Sequence, residues 1–528
     1  MFTLIQEKSM KLNIRSVLVS ASAMVISPLL LAGTDTFFTP LTQSTAVATP
    51  NHINELNSPW QTPAGISQAK LLSLSDIEAN VDQSTVRVPG LGSGASMFDM
   101  MSFDPRGKHL FIPHETANGA GVTRHNLRTG HTEVLFSGDA TGVRGVKSSW
   151  TDTDWGAFDP STYTPNGTLL LGEEWSGLGR LMEVTNPKAP ANRIKVRELT
   201  SVPNVAHEGL RFSKKNPATL YFVDEYNSGS IYKIKFKNPY DYSEGGKVWV
   251  LSVDGFDGNP AEDYNSDANS NTVRTGKASW VRLKDTETDP FRDGISSSPD
   301  NPDTFGGRPA ADEVNGTPFG RPEDIEVGTL ANGHEVLYFT ATSERTVYSV
   351  EMKGRKNAIV RVFANDVDTA KNEGFMATTA EMNSPDNLAQ DALGNIYIIE
   401  DAPNGSEVGG DIWFARDTDN DGVAESIDHF MSIQVDGAEA TGMIFNPKNP
   451  TQFVVAVQHP DSTNLDNVPE GHGDAVWSFD LENVVPPLCD EKYAYGHRDY
   501  NYSGTKGKTC TKAKDFKFVK KLKQAARR

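Results

Sequence analysis

Cysteine is almost absent from this chain: its 528 residues contain two, Cys489 and Cys510. Neither stands in a CxxC or histidine-rich spacing, which excludes a zinc ribbon or finger. Long amphipathic helical patterns are scarce, so a helical bundle is excluded as well. Basic residues are in deficit, with 50 Lys plus Arg against 69 Asp plus Glu, a net charge of -19 and a pI near 5.1. A body of that charge is unsuited to nucleic acid, whose phosphates require clustered Lys and Arg. No GxSxG, HExxH, GxxxxGK[ST] or GxGxxG pattern occurs. The simplest serine-hydrolase, zinc-protease, nucleotidase and dinucleotide chemistries go with them. With 37% hydrophobic and 23% charged residues, the chain nevertheless has material for a substantial core.

The N-terminus carries Lys8, Lys11 and Arg15, then an uncharged run from Ser16 to Thr34. A basic stretch before an apolar one, with Pro28 and small residues near Ala32, favours a cleaved signal peptide over 1–34 rather than an anchor. No second hydrophobic stretch follows, so the expectation is an exported protein, periplasmic or extracellular, without an integral membrane segment after signal removal. In an oxidising compartment Cys489 and Cys510 most simply pair, a bridge worth roughly 3 kcal/mol if unstrained. The charge is unevenly spread. Lys506 to Arg528 holds ten Lys or Arg against one Asp, leaving 40 basic and 68 acidic side chains elsewhere, a balance of -28. Such an acidic body is common among cation-binding proteins.

Short β-rich runs bounded by Gly, Pro, Asn and Asp recur throughout, which predicts an all-β fold. One phrase returns six times: a turn, a hydrophobic strand, then polar or acidic residues. It stands at 103–115, 163–174, 212–225, 329–344, 390–401 and 445–460. The average interval, about 68 residues, is too long for a WD40 array but suits four-stranded propeller blades with long loops. The expected architecture is a six-bladed β-propeller over 89–484, after an N-terminal extension at 35–88 and before a basic C-terminal segment at 485–528. A polar stretch at about 239–318 reads as a loop insertion over one face.

Two acidic patterns point to metal. In ARDTDNDGVAESID, Asp417, Asp419 and Asp421 precede Gly422, and the spacing also offers the Val423 carbonyl, Glu425 and Asp428. Alternating carboxylates before a glycine turn wrap hard oxygens around one cation, here a calcium loop between strands with a structural role. The second pattern is distributed over the repeats: Glu115, Glu173 with Glu174, Glu208, Asp224 with Glu225, Glu323, Asp386 and Glu439. In a propeller, equivalent residues of separate blades converge on a central channel, where carboxylates repel unless cations neutralise them. His114 and His207 each precede one of these acids and are either ligands or structural histidines.

Taken in order, PHE, TPNGTLLLGEEW, AHEG, VDEYNSGSIYKI, RPEDIEV, SPDNL, EATGMIFNP and VQHP resemble the motifs of the PhoX-type alkaline phosphatases, secreted bacterial β-propeller phosphomonoesterases. The likeness runs from about residue 100 to 460. It implies a metal-dependent phosphatase acting on a small phosphorylated substrate, with calcium and iron in the channel. By position it makes Glu115, Glu173, Glu208, Glu323 and Glu439 metal ligands and Arg321 the phosphate-binding residue. Arg321 and Glu323 are then the catalytic pair. Where the family has an iron-binding cysteine, this chain has Gly172, which counts against Fe and leaves Ca2+ as the expected cofactor. Arg15 also stands alone where family members commonly carry a twin-arginine signal. The chain reads as a monomeric, calcium-dominated variant. The alternatives are a calcium-dependent propeller lactonase or esterase, since SPDN is also similar to a gluconolactonase phrase, and a non-catalytic calcium-binding envelope protein.

Overall fold

The structure is a computed structural model. It describes residues 37–47, 56–79, 98–116, 119–138, 154–265, 272–283, 306–376, 382–401, 409–460 and 470–484, with the backbones of 502–504 and 508–510. The leader at 1–34, Cys489, the side chain of Cys510 and most of the basic tail lie outside the described residues.

Every repeated phrase becomes a turn followed by the second strand of an antiparallel meander. One four-stranded sheet runs Ser102–Phe103, His109–Pro113, Gly121–Asn126, His131–Ser137, and a second runs Phe158–Tyr163, Leu169–Glu173, Leu181–Val184, Val196–Glu198. Pro385–Gln390, Ile396–Glu400, Asp411–Arg416 and Ser426–Ile433 form a third meander, widened by Trp60–Gln61 and Ala370–Lys371. A nine-stranded sheet joins two more sets, His207–Phe212 through Gly246–Val253 and Pro322–Thr329 through Asn357–Asn365, across the strand Gly276–Arg282.

Alternation explains why these strands are apolar along their whole length. In Leu169–Glu173, Leu169 and Leu171 pack with Phe111 and Val122 of one neighbouring sheet, while Leu170 packs with Leu210, Phe222 and Tyr232 of the other. Successive side chains point to opposite faces, and each sheet is buried on both. Full burial of a Leu or Phe stabilises by about 1.5–3 kcal/mol, so this two-sided packing supplies most of the cohesion. The result is an all-β, propeller-like arrangement in which the first strands of successive meanders adjoin one another around a centre.

The stretch read as an extension closes this ring. Ser67–Ser73 pairs antiparallel with Ala475–Asp480, completing a sheet with Glu439–Phe445 and Gln452–Gln458. Across the seam, the Thr441 hydroxyl donates to Asp99 and Gln458 Nε2 donates to Asp99 Oδ2 at 2.8 Å. The stretch read as an insertion also holds regular structure, the strands Gly246–Val253 and Gly276–Arg282 and the short helix Gly307–Asp312. No helix among the described residues is long and apolar enough to cross a membrane.

Candidate metal centre

The first strands are irregular where they carry their acids. Pairing with the second strand shifts register between Phe158 and Ser161, His207 and Leu210, Pro322 and Ile325, Pro385 and Asn387, and Thr441 and Ile444. A bulge kinks the strand and re-aims one side chain. Asp159, Glu208, Glu323 and Asp386 sit in these bulges. Pro160, Pro322 and Pro385 fit there because a bulge leaves backbone groups outside the ladder. Ala157 (φ 45°), Arg321 (φ 52°) and Ser384 (φ 39°) adopt the left-handed region just before three of the acids. Such strain persists where surrounding structure enforces it. Gly209 is needed for close approach, since a Cβ there would stand 2.4 Å from the Ile325 backbone N.

The bulges and the adjoining strand ends gather ten carboxylates. Oxygens of Asp99, Glu115 and Asp159 lie within 4.8 Å of one another, as do those of Glu208, Glu323 and Asp386, and those of Asp386, Asp401 and Glu439. Glu174 joins through Glu115, and Glu225 through Glu174 and Glu323. Burial pushes Asp99 up to about 7 and Glu115 up to about 8, with help from Glu174 for the first and Asp99 for the second. Burial and then mutual repulsion raise Asp159, Glu174, Glu208, Glu225, Asp386 and Glu439 well above the carboxylate range. Compensation inside the protein is slight. Arg321 Nε bonds Glu225 Oε1 at 2.5 Å, its Nη2 lies 3.2 Å from Glu323 Oε1, and His459 Nε2 lies 3.1 Å from Glu439.

Metal fits this donor set. Asp159 Oδ1 and Asp386 Oδ1 are buried without a hydrogen-bond partner among the described residues, and buried Glu323 Oε1 has only its ion pair with Arg321. A buried lone pair left unmet costs about 1–3 kcal/mol, more when charged, and hard carboxylate oxygens are the ligands calcium takes. Either protons or cations must occupy a cluster of this kind.

Of the acids the sequence singled out, Glu115, Glu208, Glu323 and Glu439 converge here. Glu173 does not: it forms a fully buried bidentate pair with Arg180, at 2.6 Å for both Nε–Oε2 and Nη2–Oε1. Consecutive strand residues face opposite ways, so its neighbour Glu174 reaches the cluster instead. Asp224 is likewise committed to Arg308 at 2.6 and 2.7 Å. His114 stacks on Phe98 and bonds Thr123, and His207 packs on Phe222; burial holds both near pKa 3, hence neutral core histidines. The sequence reading missed Asp99, Asp159 and Asp401. The acid after each second strand was the available signal for Asp401, whereas Asp159 had none, since Asp104 of the other FDP phrase caps the turn at Lys108 and His109.

Gly172 opposes the Asp159–Pro160 bulge. A Cβ there would lie 2.6 Å from His207 Cβ and 2.8 Å from Pro160 Cγ, so a thiol is excluded unless the backbone shifts. Gly172→Ala is expected to destabilise by about 1–3 kcal/mol, the usual cost of overpacking, measured as a lower melting temperature. An unchanged value would show that the bulge yields freely.

The second acidic site lies between strands, as its pattern predicts. Asp417, Asp419 and Glu425 bring oxygens within 4.8 Å. Asp417 is buried, accepts the N–H groups of Asp421 at 3.0 Å and Gly422 at 2.9 Å, and is pushed up to about 7 by burial. Gly422 (φ 91°) makes the turn, and its carbonyl accepts the Ser349 hydroxyl at 2.6 Å, tying the loop to a neighbouring sheet. Asp421 instead accepts the Val423 N–H, and Asp428 pairs with Arg416 at 2.9 Å, so neither belongs to the triad.

Comparison with known proteins agrees with this architecture. The sequence matches the alkaline phosphatase PhoX family over residues 136–461. Pseudomonas fluorescens PhoX, solved with the transition-state analogue vanadate, superposes with a TM-score of 0.56 at 16% identity, covering 84% of this chain and 98% of that one. A gluconolactonase from Xanthomonas campestris gives 0.34 at 10% identity, over 84% and 98% of the two chains. Agrobacterium tumefaciens regucalcin, a calcium-binding protein, gives 0.32 at 12%, over 73% and 90%. No curated protein sequence matches the chain. With the family match spanning more than half of the sequence and the fold shared along nearly all of the Pseudomonas protein, this chain belongs to the alkaline phosphatase PhoX family.

Proposed function

We propose that the chain is an exported, calcium-dominated phosphomonoester hydrolase acting over the central carboxylate cluster. One observation carries the reading: Arg321, a guanidinium paired with cluster acids, stands beside ten gathered carboxylates, five buried and five partly buried, whose mutual repulsion cations would relieve. Asp99, Glu115 and Asp159 would hold one ion, and Glu208, Glu323, Asp386, Asp401 and Glu439 the rest. Bound there, calcium supplies positive charge for phosphate oxygens and for activation of an oxygen nucleophile.

The chain's own residues do the positioning. Glu225 and Glu323 fix the Arg321 side chain, which stays 39% exposed and so keeps N–H groups for a phosphate. A planar fork matches two phosphate oxygens at once. The bulges fix the carboxylates before substrate arrives, so binding needs little reorganisation. We further read the scaffold as a six-bladed propeller. The nine-stranded sheet supports this, because it divides at Gly276–Arg282 into two four-stranded meanders. The leader at 1–34 supports a periplasmic or extracellular protein, and Cys489 with Cys510 a disulfide there.

Activity towards an aryl phosphate, a phosphodiester and a lactone, with calcium and then with chelator, tests the reading. Calcium-dependent turnover of the monoester is expected, and turnover of the lactone alone would overturn it. We assign the Asp417 loop a structural calcium. Asp419→Ala should forfeit part of the stabilisation calcium gives, about 2.7 kcal/mol per site at a hundredfold excess over Kd, while leaving aryl phosphate turnover intact. Selective loss of turnover would make the loop catalytic.

A further inference from the structure

The nine-stranded sheet curls until its first strand, His207–Phe212, meets its last, Pro322–Thr329. Between its halves lies a groove of about 1000 Å³. Alternation builds it. Tyr221 pairs with Lys233, Lys233 with Trp249, Thr219 with Lys235 and Lys235 with Lys247, so these side chains share one face. Tyr232 and Ile234, which alternate with the lysines, face the apolar core on the other side.

The groove is basic in a strongly acidic protein. Lys215, Lys233, Lys235, Lys237, Lys247 and Arg355 line it, with Lys353, which pairs with Glu351 at 3.0 Å, against one lining acid, Glu335. Glu335 is buried and already accepts from Ser213, Tyr221 and the Lys215 N–H, all at 2.9–3.0 Å. Lys233 is nine-tenths buried, with Nζ 4.1 Å from the Trp280 ring centroid and bonded to the Arg355 carbonyl at 3.2 Å. Burial holds its pKa down to about 7. Lys235, Lys237 and Lys247 are exposed and have no ion-pair partner among the described residues. Uncompensated like charges repel, a cost that a bound anion reverses.

We infer that this groove is a binding site for a compact polyanion of sugar size, bearing sulfate or phosphate groups. Lysines on flexible stems suit several separate anionic groups rather than one planar carboxylate, and the partly buried Trp249 offers a face for a ring. The site is independent of the metal centre. Thr219 lines the groove whereas Glu225 reaches the cluster, and six strand residues separate them by roughly 20 Å. It therefore holds a ligand on the opposite end of the sheets from the phosphatase reading and does not depend on that reading.

Calorimetric titration of the full, calcium-loaded chain with sucrose octasulfate tests this, because a phosphomonoesterase does not hydrolyse sulfate esters. One-to-one binding that weakens with salt is expected. Lys235→Glu with Lys247→Glu should weaken it about tenfold or more through two reversed charges, with melting temperature and aryl phosphate turnover unchanged. The Gln pair, which keeps the stems, should lose less. Inorganic tripolyphosphate competing with the octasulfate, in excess calcium, assigns the site to phosphate; failure to compete assigns it to sulfated sugar. Absence of octasulfate binding, or undiminished binding by the Glu pair, overturns the site.

Discussion

Chelation of calcium is expected to end phosphatase turnover and to lower the melting temperature, with the loss of stability growing as pH rises. Without cations, the crowded carboxylates whose pKa burial raises keep their charge low by holding protons. Asp99 and Asp417 are pushed up to about 7 and Glu115 up to about 8, from ordinary values of 3.8 and 4.5. A carboxyl whose folded pKa lies above its unfolded one binds more protons when folded, so its contribution is fully present at low pH. That contribution fades as pH rises through the folded value, here between about pH 5 and 8. Calcium replaces the protons and removes the dependence. Its stabilisation, about 2.7 kcal/mol per site at a hundredfold excess over Kd, should therefore be larger at pH 8 than at pH 5, and loading should release protons. Melting curves across that range with and without chelator check this. Identical curves would mean that the clusters are merely protonated pairs.

Arg321→Lys is expected to lower kcat/KM for an aryl phosphate by about 10- to 150-fold, or roughly 1.5–3 kcal/mol, the scale of a hydrogen bond to a charged group. Lysine keeps the positive charge beside Glu225 and Glu323 but loses the fork. Inhibition by inorganic phosphate should weaken in parallel, while the fold persists because position 321 is half-exposed. The left-handed backbone at 321 (φ 52°) is strained for either residue, so the substitution adds no new backbone term. Wild-type turnover and phosphate inhibition in the variant would reduce Arg321 to a counter-charge for Glu225.

The all-β class was legible because the repeated turn-and-strand phrase is a local signal, and each copy did become a second strand. The ring closure through Ser67–Ser73 was not, because pairing with Ala475–Asp480 spans almost the whole chain and leaves no local mark. Glu115, Glu208, Glu323 and Glu439 were legible through their motifs. The choice between Glu173 and Glu174 turns on which face of one strand meets Arg180, which composition does not encode. Asp99 was hidden for a related reason: it lies before the first strand and joins the cluster across the seam, through Thr441 and Gln458. The basic groove escaped because Lys233, Lys235 and Lys247 lie in ordinary-looking strands, and only their register places them together.

On the proposed function, the bulged first strands hold the catalytic calcium. Elemental analysis of active wild type beside Glu323→Gln with Asp386→Asn tests it most directly. Tightly bound calcium without stoichiometric iron is expected in the wild type. The variant is expected to retain the Asp417-loop calcium but to lose central calcium and turnover together. Full calcium content with full turnover in that variant, or stoichiometric iron in the active wild type, would contradict it.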